Sequence, residues 1–368
     1  MANAEHLSWL GFGWLLSVVN AITFRQIGLD GQSLAEPKSY DEILHFMKRS
    51  EELYPELAQI QTIYAHDGQR MSSYEGRPMT VLKIGSNSKC RSWKPSVWVD
   101  AGTHAREWIT ILSATYLINE LLTGYKTDDS IRKLVDSVDF FVLPVANPDG
   151  YEYTRSSSDL QTRYWRKNRR KTQGSSCVGV DLNRNYDWLW GTGNVFDRES
   201  IGSHNPCSDH YVGTRGASEP ETAFVQSFVQ SRAHSMKGFI SLHCYAQAVL
   251  IPYSVYWISK PHDSQDLERV AHHATTRMQQ SGGRSYTAGY SSDVMYPTTG
   301  SAQDWAKSKA GIKYSYLFEL RPDRIRRGQR PWYYGFQLQP NEILPTCREA
   351  FVGIETIASE IAKEFRCY

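Results

Sequence analysis

The chain alternates short apolar runs with longer segments in which apolar positions recur every three or four residues. Runs rich in β-branched and aromatic residues predict buried strands at 78–85, 96–102, 138–147, 238–245 and 313–320. Helical spacing of the apolar positions predicts helices at 39–54, 110–125, 218–232 and 263–282. This alternation is typical of an α/β fold, so we predict a central, mixed, mostly parallel twisted sheet with helices on both faces.

The size and composition of the chain favour one large domain. Its 368 residues are 40% hydrophobic and 22% charged, which is enough to bury a large core. We find no internal repeat and no proline-rich linker that would divide the sequence. The economical prediction is therefore a single domain at 37–368.

The amino terminus forms a separate apolar segment. Residues 7–19 are mostly apolar, and Val19-Asn20-Ala21 resembles a small-residue cleavage site. We predict a signal peptide at 1–21 and a short linker at 22–36 with no propeptide domain. Six cysteines also suit an oxidising compartment, so secretion is expected. Because the segment begins without Lys or Arg, the alternative is an uncleaved membrane anchor. No other stretch of the sequence is apolar enough to span a bilayer.

The charge of the chain argues against a nucleic-acid partner. The net charge is only +2, and the two local basic runs, WRKNRRK at 165–171 and RIRRGQR at 324–330, lack the fold cues of a nucleic-acid surface. Such runs are more often solvated loops.

A histidine and a glutamate three positions apart follow the predicted strand at 96–102. His104 and Glu107 alone would equally fit the polar start of a helix, where a carboxylate suits the positive end of the dipole. His243 ends another predicted strand, and alone it would be read as a core histidine. Together, the three side chains form the usual arrangement of a three-ligand zinc site with an open fourth position. One zinc ion per chain is therefore the expected cofactor.

Two more carboxylates extend this hypothesis. Asp181, in GVDLNRNYD, is well placed to accept a ring N–H from a zinc-bound histidine and to fix its tautomer. Glu319 follows a strand-like run, and a buried carboxylate needs a role because its desolvation is costly.

Seven motifs place these residues in a known family. They are THAREW, PVANPDGYEYT, YWRKNR, GVDLNRNYDW, SLHCYAQ, MYPTTGSAQDWA and KYSYLFELR. In this order the motifs resemble those of the zinc metallocarboxypeptidases of the carboxypeptidase A/B family, over about 39–361. The resemblance implies that 37–368 form a monomeric zinc carboxypeptidase catalytic domain. Its substrates would be peptide or protein C-termini, from which single residues are removed.

The resemblance also implies individual roles. Zinc would be held by His104, Glu107 and His243, with Glu319 as general base and Arg166 beside the reacting carbonyl. The residues expected around the substrate are Arg106, Asn183, Arg184, Tyr245, Tyr296 and Gln303. The planar guanidinium of Arg184 suits a free carboxylate better than a lysine would. Cys177 and Cys207 match a disulfide of the family, and Cys244 is expected to be a buried thiol.

The choice of C-terminal residue depends on Gln303. The sequences YPTTGSAQDWA and ILPTCREA most resemble the carboxypeptidase O branch, in which an arginine at this position goes with acidic substrates. A neutral amide pairs with neither charge, so we predict a preference for neutral side chains. Acidic residues are the alternative if Arg321, or an arginine of the RIRRGQR segment, reaches the pocket.

Two other functions are less favoured. A zinc-binding homologue without activity would be expected to lack Glu319 or Arg166, and both are present. A prohormone-processing carboxypeptidase would carry a trailing β-sandwich domain, for which the sequence gives no pattern. Extra residues near 192–206 and 322–333 are interpreted as insertions in surface loops.

Overall fold

The computed structural model describes residues 27–64, 70–87, 93–192, 201–324 and 332–365. The predicted signal peptide at 1–21 and the first part of the predicted linker lie outside these residues. So do parts of the two predicted loop insertions, at 193–200 and 325–331.

One eight-stranded sheet forms the centre of the molecule. In chain order its strands are β1 Ala58–Gln61, β2 Val81–Ile84, β3 Ser96–Asp100, β4 Asp139–Leu143, β5 Met236–Cys244, β6 Ala248–Ile251, β7 Thr287–Tyr290 and β8 Tyr314–Leu320. Their spatial order is β1-β2-β4-β3-β5-β8-β6-β7. The central pairs β4–β3, β3–β5 and β5–β8 are parallel, as is β6–β7. The pairs β1–β2, β2–β4 and β8–β6 are antiparallel. The predicted mixed, mostly parallel sheet is confirmed.

Helices connect and cover these strands. They are α1 Tyr40–Leu53, α2 Trp108–Gly124, α3 Asp129–Ser137, α4 Pro148–Arg155, α5 Leu160–Arg163, α6 Pro220–Gln230, α7 Ser264–Gln280, α8 Ser291–Val294, α9 Ala302–Ser308 and α10 Pro340–Glu364. Short 3-10 turns occur at Leu182–Arg184 and Trp332–Phe336. Helix α1 shows how the sequence sets a boundary, because Ser39 and Glu42 form a reciprocal capping box. No helix of the described ranges is both long and apolar enough to cross a membrane.

The hydrophobic core lies on both faces of the sheet. Successive strand residues point to opposite faces, so Val97 and Val99 of β3 pack towards α1, α2, α3, α7 and α10. Trp98, between them, packs towards α6 and α9 on the other face. Helices therefore cover both faces, as predicted.

The carboxyl ends of the central parallel strands meet at one edge of the sheet. His243 of β5 and Glu319 of β8 are partners in the strand register, so their side chains point to the same face. The segment after β3 brings His104 and Glu107 to the same edge. An open α/β sheet places its binding crevice at such strand ends.

Candidate metal centre and substrate pocket

Three buried side chains form a group that could hold a metal ion. Ligand atoms of His104, Glu107 and His243 all lie within 4.8 Å of one another. The Nδ1 atoms of the two histidines face each other at 3.1 Å, so at most one of them can carry a proton. Glu107 places one carboxylate oxygen 2.7 Å from His104 Nδ1 and the other 3.2 Å from His243 Nδ1. Two imidazole nitrogens and one carboxylate are a donor set that zinc prefers, so the group fits this ion.

The charge state of Glu107 agrees with this geometry. Burial alone would raise the pKa of Glu107, but His104 and His243 beside it hold that pKa below its usual range. The backbone N–H of Cys244 also donates to the carboxylate, at 3.2 Å. An ionised carboxylate is the form that binds a metal ion.

Asp181 lies beside the second ring nitrogen of His104. Its Oδ1 atom lies 3.2 Å from His104 Nε2, so a proton on Nε2 leaves Nδ1 free as a ligand. Its Oδ2 atom accepts from Arg166 Nε at 3.0 Å and from Arg166 Nη2 at 2.9 Å. Although burial acts in the opposite direction, Arg166 and Arg184 hold the pKa of Asp181 well below its usual range. One carboxylate thus orients both a predicted ligand and a predicted catalytic cation.

His243 has a matching support that the sequence analysis missed. Ser241, two residues earlier on β5, donates its hydroxyl to Asp100 Oδ1 at 2.5 Å, and its oxygen lies 3.1 Å from His243 Nε2. Asp100 is held in turn by Trp98 Nε1, which donates to Oδ2 at 2.6 Å. Because the serine proton is engaged with Asp100, the serine oxygen can accept the Nε2 proton of His243. Nδ1 of His243 is then left free on the side that faces Glu107.

Glu319 lies beside His243 in the strand register and borders the same cavity. Burial, together with the nearby carboxylate of Glu107, raises the pKa of Glu319 to about 7. The side chain is therefore near the metal group without belonging to it.

A pocket of about 320 Å³ joins the metal group to the other predicted residues. Its lining includes His104, Glu107, Arg166, Glu319, Arg106, Asn183, Arg184, Tyr245, Tyr296 and Gln303. Of the predicted site residues, His243 and Asp181 are not part of this lining but both contact His104, which is, and the disulfide cysteines lie apart from it. Sequence motifs separated by many residues thus meet in one cavity.

Asn183 and Arg184 are fixed by a tight turn. The Asp181 side chain caps this turn by accepting from the N–H of Asn183 at 3.0 Å. Asn183 Oδ1 accepts from the N–H of Ala302 at 2.8 Å, which joins the turn to the start of α9. Gly300, at φ +66°, lets the chain pass close by, because a Cβ there would lie 2.3 Å from the Arg184 carbonyl oxygen. A cation and an amide are therefore held rigidly at the pocket wall.

Aromatic side chains surround the mouth of the pocket. The Arg106 guanidinium lies 4.6 Å from the centre of the Phe336 ring, and Tyr245 meets the same ring edge-on at 5.1 Å. Arg106 also contacts Asp209 at 3.3 Å. Tyr296 is 37% exposed, which places it at the outer rim. Phe336 was not predicted, because it belongs to none of the recognised motifs.

Buried side chains also contribute to the pocket lining. Gln303 borders the pocket with a side chain only 1% exposed, and so do the apolar side chains of Leu250 and Leu317. Arg321 does not border the pocket, because its guanidinium forms a two-pronged ion pair with the buried Glu349. Arg324 does border the pocket, and it donates to the Val294 carbonyl. The arginines at 326, 327 and 330 lie outside the described residues.

The disulfide between Cys177 and Cys207 is present, with 5.1 Å between the Cα atoms. It ties down the segment that leads to Tyr211, whose carbonyl accepts from the N–H of Asp181 at 2.9 Å. Cys244 is a buried free thiol, as expected.

Comparison with known proteins gives one consistent result. A family model described as zinc carboxypeptidase matches residues 43–353. Carboxypeptidase A2 of Mus musculus is 41% identical over 290 residues, which cover 79% of this chain and 63% of that protein. Carboxypeptidase O of Bos taurus is 37% identical over 294 residues, which cover 80% of this chain and 72% of that protein. This chain thus spans just under two thirds of the length of the first of these relatives.

Solved structures give the same match. The bovine thrombin-activatable fibrinolysis inhibitor, in complex with tick carboxypeptidase inhibitor, superimposes with a TM-score of 0.76 at 35% identity. The match covers 90% of this chain and 99% of that one. Carboxypeptidase A from Helicoverpa armigera gives a TM-score of 0.78 at 26% identity, over 95% of this chain and 81% of that one.

Proposed function

Since the chain belongs to the zinc carboxypeptidase family, we propose that it is a zinc-dependent exopeptidase that removes single residues from the C-termini of peptides. One observation carries this proposal. Two members of the buried His-Glu-His group, His104 and Glu107, border the same pocket as the carboxylate of Glu319 and the cation of Arg184. A hydrolase for C-terminal residues needs these three elements together.

The general base of the reaction is Glu319. Zinc, when it is bound by His104, Glu107 and His243, supplies a Lewis acid and lowers the pKa of a coordinated water to about 7. Glu319 borders the pocket beside His243 without being one of the three ligands. Its carboxylate is thus placed to accept a proton from the attacking water and to pass it to the leaving amine.

Arg166 stabilises the developing oxyanion. Asp181 holds its guanidinium by two hydrogen bonds, and its Nη1 atom reaches within 3.3 Å of His104 Nδ1. A preorganised donor beside the reacting carbonyl contributes about 3 kcal/mol to transition-state stabilisation.

The free carboxylate of the substrate is bound by Arg184 and Asn183. Both side chains are buried in the rigid turn at the pocket wall, and a guanidinium can donate two parallel hydrogen bonds to a carboxylate. Tyr296, at the exposed rim, is placed to close over the bound end. Arg106 and Tyr245 line the mouth, where residues before the scissile bond would lie.

Neutral C-terminal side chains are the proposed preference. Gln303 carries no charge, and its neighbours Leu250 and Leu317 are apolar. A charged side chain would lose its hydration there without gaining a counter-charge from these residues. The alternative is a preference for acidic C-terminal residues, as the resemblance to carboxypeptidase O implies, and one observation favours it: Arg324 borders the pocket.

The remaining features of the proposal concern the whole protein. We propose a signal peptide at 1–21, a linker at 22–36 and a catalytic domain at 37–368, secreted and active as a monomer without nucleic acid. The disulfide supports an oxidising compartment. A zinc-binding homologue without activity is disfavoured because Glu319 and Arg166 both border the pocket.

The proposal is tested with a panel of blocked dipeptides that end in Phe, Gln, Arg or Glu. The zinc-loaded protein is expected to release the last residue, to lose this activity with a chelator and to regain it with added zinc. The matched control is the same set of peptides with C-terminal amides, which should resist hydrolysis because they offer Arg184 no carboxylate. Failure of the zinc-loaded protein to cleave any free-acid peptide would refute the proposal.

Replacing Ser241 by alanine is expected to lower the zinc affinity by about 10- to 100-fold, the usual effect of losing a group that orients a metal ligand. Asp181→Asn should have an effect of similar size through His104. Competition with a chromophoric chelator measures both affinities without relying on turnover. Ser50→Ala is the matched control, because it also removes a buried hydroxyl, one that bonds to Phe46 within α1. An unchanged zinc affinity in Ser241→Ala would show that Ser241 does not orient His243.

A further inference from the structure

One residue that borders the pocket carries a polar atom without a hydrogen-bond partner among the described residues. The Gln303 side chain is buried, and its Nε2 atom donates to Ser254 Oγ at 2.8 Å. Its Oε1 atom finds no hydrogen-bond partner among the described residues. Buried polar atoms nearly always have a partner, because an unpaired one costs free energy. Because Gln303 also borders the pocket, its unpaired amide oxygen is a buried hydrogen-bonding group next to the space that the substrate side chain would enter.

The surroundings of Gln303 restrict what can use that site. Leu250 and Leu317 are buried and apolar, so a partner must be largely apolar along its length and polar at its tip. Asp304, the next residue along α9, does not border the pocket, and one of its oxygens accepts from the N–H of Ser254 at 2.9 Å. Arg321 is engaged with Glu349, and Arg324, which borders the pocket, donates to the Val294 carbonyl. The tip that fits best is neutral and able to hydrogen-bond.

We propose that the pocket selects C-terminal residues with a carboxamide side chain, glutamine before asparagine. This inference rests on the proposed exopeptidase function and names its substrate class. The substrate amide N–H would donate to Gln303 Oε1 and supply the missing partner. An apolar side chain of the same length leaves Oε1 unpaired, and that penalty is what makes a hydrogen-bonding pocket selective.

The orientation of the Gln303 amide does not change this conclusion. Ser254 Oγ can accept or donate, so a rotation of the amide by 180° would leave Nε2 as the unpaired atom instead of Oε1. A carboxamide carries both a donor and an acceptor, and it can complement either end. Gln303 also reaches the carboxamide of a glutamine better than that of the shorter asparagine.

The test compares kcat/KM for blocked dipeptides that end in Gln, Met and Glu, which have similar length but differ at the tip. We expect kcat/KM for the Gln-terminated peptide to be at least about tenfold higher than for the Met-terminated peptide, and also higher than for the Glu-terminated peptide. Equal or faster cleavage of the Met peptide would overturn the inference, as would a preference for Glu or for an Arg-terminated peptide.

Variants at Gln303 provide a second measurement. Gln303→Met keeps the approximate shape and removes both polar atoms, so the ratio of the Gln rate to the Met rate should fall by about tenfold or more. Gln303→Arg should shift the preference towards Glu, because a fixed cation stabilises an anionic side chain. Zinc content and the thermal midpoint identify a variant that has not folded. The comparison of the three peptides with the wild-type protein tests the carboxamide selectivity without any variant.

The outcomes separate the two proposals. If the zinc-loaded protein cleaves the Met peptide or a Phe peptide without favouring Gln, the exopeptidase function stands and the carboxamide selectivity is refuted. If no free-acid peptide is cleaved, the exopeptidase function fails and the selectivity fails with it.

Discussion

Replacing Glu319 by glutamine is expected to reduce kcat by about 10²- to 10⁴-fold while zinc remains bound. The amide has nearly the shape of the carboxylate but cannot accept a proton from the attacking water. Glu319 is not a member of the metal-binding group, so that group should keep its geometry. Burial and the neighbouring Glu107 already disfavour the charge on Glu319, so its neutralisation should not weaken the fold.

This expectation is checked by steady-state kinetics, zinc content and the thermal midpoint of the same preparation. Glu360→Gln is the matched control. This partly exposed carboxylate on α10 forms ion pairs with Arg269, His273 and Lys363 and does not border the pocket. The control should keep wild-type kinetics. Wild-type kcat in Glu319→Gln would mean that a different group accepts the proton.

Replacing His243 by alanine is expected to remove zinc and activity together. The change deletes one of three ligand atoms in the metal group and leaves Glu107 without one of its two histidine contacts. Loss of a ligand should lower the zinc affinity by more than the roughly 10- to 100-fold expected for the supporting residues Ser241 and Asp181. Wild-type protein should carry about one zinc per chain, and the variant should carry far less.

Zinc content after dialysis, measured by atomic emission, tests this expectation alongside peptide hydrolysis. His272→Ala is the matched control, because His272 is exposed on α7 and alanine is favourable in a helix. That variant should keep both zinc and activity. Stoichiometric zinc in His243→Ala would remove His243 from the set of ligands.

Long motifs made the position of the candidate metal centre predictable from sequence. The strands β5 and β8 lie in strong apolar runs, and the chemistry-bearing residues His243 and Glu319 stand at the ends of those runs. Their common position follows from parallel pairing, which carries the ends of such strands to one edge. The five predicted strands and four predicted helices are all present, with ends that differ from the predicted ones by up to four residues.

Features that depend on pairing or on side-chain direction were not predictable. Strands β1, β6 and β7 have only four residues each and were not predicted. Strand β2 is equally short, and it was recognised because it lies within the longer run at 78–85. The contact from Ser241 to Asp100 joins neighbouring strands, so it becomes visible only when their register is known. Leu250 and Leu317 read as ordinary core residues, because hydrophobicity alone does not tell a core from a pocket wall.

The path of the chain through the metal group also bears on how the molecule folds. His104 and His243 are separated by 139 residues, yet their ring nitrogens lie 3.1 Å apart. Contacts between such distant segments form slowly, because the long loop must close before the contact contributes any stability. The ligand set is complete only when β3 and β5 have paired in their final register. The rate of zinc binding during refolding would therefore report how fast the central sheet assembles. The ion would stabilise only the chains in which that assembly is finished.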